Sequence, residues 1–172
     1  MTRVVRSLLP AVLTISTFSA LPYKHIRDYT IPEQPRIVFL YTDADRSRIL
    51  IDSATIAGIP AHYLAAIYFA ESTCGKNMRH PDPWDVGPMG LHERPSYHLE
   101  RMAKWGPYDP YWLPDASRIA AMELAEDYAY FCDWDLTFSA YRKGRSWVAK
   151  HGVYKPYVSK VRGYLAMGVK YE

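Results

Sequence analysis

From residue 43 onward the apolar positions fall mostly at steps of three and four, the spacing of one face of a helix. "DADRSRILIDSATIAG" (43–58) carries Asp43 at its start and Gly58 at its end, and these read as start and stop signals. "IPAHYLAAIYFAES" follows, with Pro60 suited to the first helical turn. Residues 73–94 are rich in Gly, Pro and Asp and read as loop. "PSYHLERMAKW" predicts a short helix, and "GPYDPYWLP" a proline-broken connection. "DASRIAAMELAEDYAYFCD" is the clearest helix, with Asp115 as its cap and Ile119, Met122, Ala125, Ala129 and Cys132 at helical spacing. "WDLTFSAYRKG" predicts another, closed by Gly144. "YKPYVSKVRGYLAMGVKY" predicts a last one, with Val158, Val161, Tyr164 and Leu165 on one face. Before this region, residues 21–43 contain three prolines and no helical period. They read as an extended lead-in with one short strand at "RIVFLY". The expectation is a mostly α chain with a single helical domain over residues 44–172.

The first twenty residues change the picture of where the protein works. "MTRVVR" is basic, "SLLPAVLTISTF" is a short apolar run, and "TFSA" offers small residues for cleavage. Residues 1–20 therefore predict an export signal or an uncleaved amino-terminal anchor, and a location in the periplasm or cell envelope. A membrane contact is expected only if that segment is retained. The net charge of +3 is spread without a basic block, which excludes a nucleic-acid binder but suits an anionic polymer such as cell wall. Fifteen tyrosines and five tryptophans suit a sugar-handling groove, or else the core and rim of a helical domain. The two cysteines, Cys74 and Cys132, are either a disulfide in an exported chain or two free thiols.

The candidate chemistry starts at "YFAESTCGKN". Leu64, Ile67, Tyr68 and Glu71 share one helix face, and that face is the apolar one. A carboxyl placed where the core stripe runs out loses hydration, which favours its protonated form. Such an acid suits protonation of a glycosidic oxygen. The alternative is a glutamate that reaches out to solvent at a helix end or pairs with Lys76.

The residues around it carry a resemblance. "IPAHYLAAIYFAEST" resembles the opening of the lytic transglycosylase domain of the goose-type lysozyme superfamily, where a Glu-Ser pair ends a buried helix. "GPMGLHE" is similar to the second family motif, usually Gly-Leu-Met-Gln: Gly90 and Leu91 match, His92 stands for the Met and Glu93 for the Gln. "FSAYRKG" resembles the third, usually Ala-Tyr-Asn with a nearby Gly: Tyr141 and Gly144 match, and Arg142 replaces the Asn. "YVSKV" (157–161) resembles the closing Tyr-Val motif. The likeness covers residues 45–165.

What the resemblance implies is a lysozyme-like fold without a cofactor, acting on peptidoglycan glycan strands. Its expected reaction cleaves the MurNAc–GlcNAc β-1,4 bond with a 1,6-anhydro product, Glu71 serving as the single general acid and base. Ser72, Gly90, Leu91, Glu93, Tyr141 and Tyr157 are then the expected substrate-binding residues. Ser72 would bond the sugar or brace the helix end. Tyr141 would donate near Glu71 or the acetamido group. Glu93, an acceptor where the family has an amide, would read the acetamido N–H or have a role of its own. A cell-envelope machine is an open further partner. Two alternatives stand beside this reading. One is hydrolysis, with Glu93, Asp85 or Asp82 positioning water. The other is a scaffold that binds glycan without cutting it. His80, Asp82, Asp85, His92 and His98 form a loose His/Asp set without the spacing of a metal site, and no metal is expected. Trp84 would stack on a sugar or cap the core. "YRKGR" would meet peptide carboxylates or form a solvated turn.

Overall fold

The computed structural model describes residues 37–39, 42–167 and 169–171, the two outer segments by backbone alone. The expected export signal (1–20) and residues 21–36 of the lead-in lie outside the described residues. In chain order the elements are β1 (Ile37–Phe39), α1 (Ala44–Ala57), α2 (Ala61–Ser72), β2 (Asp85–Val86), β3 (Leu91–His92), α3 (Pro95–Trp105), α4 (Leu113–Phe131), α5 (Trp134–Lys143), α6 (Arg145–His151), α7 (Lys155–Ala166) and β4 (Val169–Tyr171). The described residues are mostly helical.

Helix ends follow local chemistry. Asp43 caps α1 by accepting the Arg46 N–H at 2.8 Å, and Gly58 closes it at φ 70, donating back to Ala54 and Thr55. Asp133 caps α5 through the Leu136 N–H. Pro60 is the N-cap of α2, immediately before its first turn. α4 starts two residues earlier than expected. Pro114 sits in its first turn, where the missing N–H costs nothing, and Trp112 is the N-cap. Asp115 therefore does not cap the helix; its carboxylate takes the Asp109 N–H at 2.9 Å and ties down the preceding turn.

α2 is buried nearly all round, through Leu64, Ala65, Ala66, Ile67, Tyr68, Ala70 and Ser72. Such a helix has to be central, and α1, α4 and α7 pack against it. α1 meets α4 through small residues, Ala54 opposite the Ala116, Ala120 and Ala121 side, with the Ser53 and Ser117 hydroxyls hydrogen-bonded at 2.8 Å. The buried face of α4 is Ala116, Ser117, Ile119, Ala120, Ala121, Leu124 and Asp127. Of the stripe expected from sequence only Ile119 is fully buried; Ala129 and Cys132 are exposed. The alanines hid the true face, because in a chain this rich in Ala the spacing of larger residues does not fix its azimuth.

Three elements correct the sequence expectations. Residues 73–94 are not all loop, since β2 and β3 pair antiparallel within them (Asp85 with His92, Val86 with Leu91). α6 follows α5 directly, with Gly144 ending one helix and opening the next at φ 81. The last helix does not run to Tyr171. It stops at Ala166, and "VKY" pairs with the "IVF" of β1 antiparallel, Ile37 with Tyr171. The strand expected at "RIVFLY" is thus present, and its partner is the chain's own other end. Val and Tyr around a single Lys have the strand period of two, too short a run to stand out beside a helix.

Of the two alternatives for the cysteines the structure has the free thiols, Cys74 and Cys132 being unbonded. Cys74 belongs to the core cluster, whereas Cys132 caps α4 in a left-handed conformation (φ 52) and is exposed. Burial pushes the Cys74 thiol up to about 11, which keeps it protonated and inert.

Two measurements check this description. Leu124→Ala should cost about 2–5 kcal/mol in denaturant unfolding, from lost burial and the cavity left behind, while Ala129→Ser should stay within about 0.5 kcal/mol; the reverse order would return the face to the sequence-based stripe. Thiol titration of the native protein should show one group, Cys132, reacting at once, and the second, Cys74, reacting only on unfolding.

Candidate active site

Glu71 occupies the last turn of α2, and its side chain is only 7% exposed. Each side of the carboxyl has a distinct neighbour. Tyr157 of α7 donates its hydroxyl to Oε1 at 2.5 Å. His80 places Nδ1 3.8 Å from Oε2. Gly90, in the β2–β3 turn at φ 64, lies so close that a Cβ there would stand 2.5 Å from Oε2. No residue larger than glycine fits without moving the carboxyl.

The helix end that carries Glu71 is fixed from both sides. The Ser72 hydroxyl donates to Tyr68 O and accepts the Gly75 N–H at 2.8 Å. Lys160 of α7 donates its ammonium to Ala70 O. Tyr141 of α5 donates to Met89 O at 2.7 Å and so holds the turn that bears Gly90. Beside it, Arg142 donates to Asp85 Oδ2 at 2.7 Å, and His92 Nδ1 lies 2.8 Å from Asp85 Oδ1.

Electrostatically the site favours the protonated form of Glu71. Burial raises its pKa, and this outweighs the lowering by the Tyr157 hydrogen bond and by the charges of Arg142, His80 and Lys160. Burial also holds the Tyr157 and Tyr141 hydroxyls well above 10, so both remain donors.

Glu71 opens onto a cleft of about 620 Å³, whose walls also include Asp82, Asp85, Gly90, His92 and Tyr141. Further along, the cleft is crossed by ion pairs, Arg101 with Glu123, Lys104 with Glu126 and Arg145 with Asp127, and edged by Tyr97, Trp105 and Trp147.

Of the residues singled out in the sequence, Glu71, Gly90 and Tyr141 therefore meet at the cleft. Tyr157 meets Glu71 from behind and is itself buried. Ser72 is fully buried and braces the helix end, the second of its two expected roles. Leu91 is 1% exposed and belongs to the core, so it supports the cleft without lining it. Glu93 is turned away into a separate network: Oε1 accepts from Arg101 at 2.7 Å and from Tyr108 at 2.8 Å, and Oε2 lies 2.5 Å from His98 Nδ1. It is not among the residues that line the cleft, although its partner Arg101 is. Trp84 is exposed and outside the cleft wall. Asp82, Asp85 and His92 place ligand atoms within 4.8 Å of one another, the one such group among the described residues. Both Asp85 oxygens are already engaged by Arg142 and His92, which makes the group an ion-pair cluster.

His80 and Arg142 gained importance only in three dimensions. The sequence placed His80 in a polar loop, and nothing local marks it as buried beside Glu71. Arg142 was visible as a departure from the Ala-Tyr-Asn pattern. Chemically the site offers one desolvated carboxyl at a cleft, two fixed phenol donors and an imidazole. Comparison of the chain with protein-family models finds no match, and searches of curated proteins and of solved structures find no significant one.

The raised pKa of Glu71 has a consequence for stability. The native state holds the proton more tightly than the unfolded chain, whose value is about 4.5. Stability is therefore lost as pH rises from about 4.5 through the raised native value. Glu71→Gln removes this loss. Thermal unfolding should give the variant and the parent similar Tm at or below pH 4.5, and a higher Tm for the variant above the window. A gap that does not change with pH would mean that Glu71 titrates normally.

Proposed function

We propose that this chain is a lysozyme-like lytic transglycosylase that cleaves the MurNAc–GlcNAc β-1,4 bond of peptidoglycan and leaves a 1,6-anhydro end. The observation that carries the reading is the Glu71 carboxyl, buried, with its pKa raised by that burial, and opening onto the cleft. A glycosidic oxygen leaves poorly until protonated, so one positioned acid is the first requirement. Burying an acid costs free energy that a pure binding module does not need to expend.

The engagement of Glu93 and Asp85 supports the choice of an anhydro product, and Asp82, also at the cleft wall, is the carboxylate left to the hydrolytic reading. Hydrolysis in the usual manner needs a second carboxylate as nucleophile or as base for water. Glu93 is engaged by Arg101, Tyr108 and His98 and lies off the cleft. Asp85 has a partner on each oxygen. A mechanism that uses Glu71 twice fits this arrangement. The acid first protonates the leaving oxygen while the substrate's acetamido group stabilises the cation. The resulting carboxylate then takes the proton of the 6-hydroxyl as that oxygen closes on C1. Tyr157 stays hydrogen-bonded to Oε1 throughout and leaves Oε2 as the oxygen that carries the proton.

The likeness of four motifs to the goose-type lysozyme superfamily supports the same reading, as does Gly90 packed on Glu71. Export to the periplasm or cell envelope belongs to the proposal and rests on residues 1–20. Among the described residues no helix is long and apolar enough to cross a membrane.

Digestion of purified sacculi, with the released muropeptide ends identified by mass, tests the proposal. Ends lighter by one water than reducing ends are expected. Glu71→Gln, which keeps the shape but not the proton, should lower release at least about 100-fold. Reducing ends would make the protein a hydrolase. No release by the parent protein, or full release by the variant, would overturn the assignment of Glu71.

A further inference from the structure

His80 is 2% exposed, although residues 75–79 before it and Pro81 after it are exposed. A buried imidazole in an exposed segment has to be held by its partners. Its Nε2 lies 2.9 Å from the Gly87 carbonyl. A carbonyl oxygen only accepts, so Nε2 carries a hydrogen and the proton of variable occupancy belongs to Nδ1. Nδ1 is the atom that faces Glu71 Oε2, 3.8 Å away.

The other groups around Glu71 cannot play the same part. Tyr157 and Lys160 face it from α7, and Tyr141 and Arg142 from α5. The Tyr157 hydroxyl is committed to Oε1 and Tyr141 to Met89 O. Lys160 is bonded to Ala70 O and Arg142 to Asp85. Phenols, amines and guanidinium groups also keep their charge state across the neutral range, whereas imidazole changes its own there.

We propose that His80 is the positioning partner of Glu71: anchored by Gly87, it sets Nδ1 beside Oε2 and fixes the orientation of the carboxyl. Its catalytic consequence rests on the reading of Glu71 as the acid for glycosidic cleavage; the pairing itself does not. In the first step the Oε2 proton passes to the glycosidic oxygen as the C1–O bond breaks, leaving a carboxylate and a neutral sugar hydroxyl. In the second, the 6-hydroxyl oxygen bonds to C1 and its proton returns to the carboxylate. His80 gains and loses nothing over the cycle. Beside Oε2, it adds to the charges of Arg142 and Lys160 in the surroundings of the buried carboxylate between the steps. Contacts of this kind are often long in the empty enzyme and tighten when substrate is bound.

Two readouts test the pair. The first compares the ring nitrogen resonances of His80 by NMR in the parent protein and in Glu71→Gln at one pH, and needs no catalysis. Exchange of the carboxyl for an amide should move the Nδ1 resonance and leave that of Nε2, held by the Gly87 carbonyl, in place. An unchanged Nδ1 resonance overturns the pairing, whatever the protein does to glycan. The second compares pH–rate profiles on sacculi for the parent and His80→Gln, with thermal unfolding as the check of folding. Without the imidazole beside it the carboxylate is less favourable, so the alkaline limb should move to higher pH while the plateau falls about tenfold or more. A uniform loss with the limb unmoved would make His80 a structural residue and overturn the proposal. Should His80→Gln fail to fold, the Nδ1 resonance of His80 in Glu71→Gln decides alone. Full cleavage by Glu71→Gln would remove the functional reading and leave the NMR result to judge the pair.

Discussion

The desolvated carboxyl of Glu71 is the constraint around which the site is arranged. A glutamate at the end of a central helix would ordinarily turn to water, where its ionised form is cheapest. Here the turn is closed off. Gly90 packs against Oε2, Tyr157 holds Oε1, and His80 stands beside the pair. Each neighbour comes from a different part of the chain, so the carboxyl is an assembly point for α2, α7 and the β2–β3 turn. The result is a carboxyl whose protonated form is favoured and which still reaches the cleft.

Holding a side chain this way requires the backbone beneath it to be stiff. Helix ends fray, and α2 ends one residue after Glu71. The structure counters fraying with polar ties: Ser72 to the Gly75 N–H, Lys160 to Ala70 O, and Asn77 N to Ser72 O at 2.7 Å. Thr73 and Cys74 take left-handed conformations that turn the chain out of the helix at once. Across the cleft the logic differs. α3 has a single buried side chain, Arg101, and is tied to α4 by Arg101–Glu123 and Lys104–Glu126. One wall of the cleft is thus set by apolar packing and the other largely by charge.

How much of this was legible in the sequence depended on how local the signal was. Asp43, Gly58, Asp133 and Gly144 act within one turn of themselves, and the helices they bound are where the sequence put them. The burial of Glu71 was also legible, because Leu64, Ile67 and Tyr68 precede it on one face. The face of α4 was not, since alanines at 116, 120, 121, 125 and 129 leave the azimuth open until a partner helix selects it. The β2–β3 pair was missed because two residues per strand carry no period. The β1–β4 pair joins segments from opposite ends of the sequence, and neither end names the other. Glu93 looked like a substituted binding residue; its real environment is Arg101, His98 and Tyr108, drawn from α3 and the turn after it. Motif position identified the acid but could not tell which motif residues face the cleft and which face away.

Their partners separate Glu71 from four other acidic side chains of the cleft. Asp85, Glu123, Glu126 and Asp127 also line the cleft, and each has an arginine or lysine nitrogen within 2.8 Å. A guanidinium or ammonium at that distance directs its hydrogens at the carboxylate lone pairs and orients them away from any incoming water or sugar. Glu71 has instead a phenol, which supplies a hydrogen bond without a full charge, and an imidazole, whose charge is variable. A fixed cation in either place would hold the carboxylate ionised and remove the transferable proton. A purely apolar wall would hold the proton too tightly to give it away. Tyr157 and His80 lie between these limits, and the proposed use of Glu71 first as acid and then as base calls for surroundings of that kind.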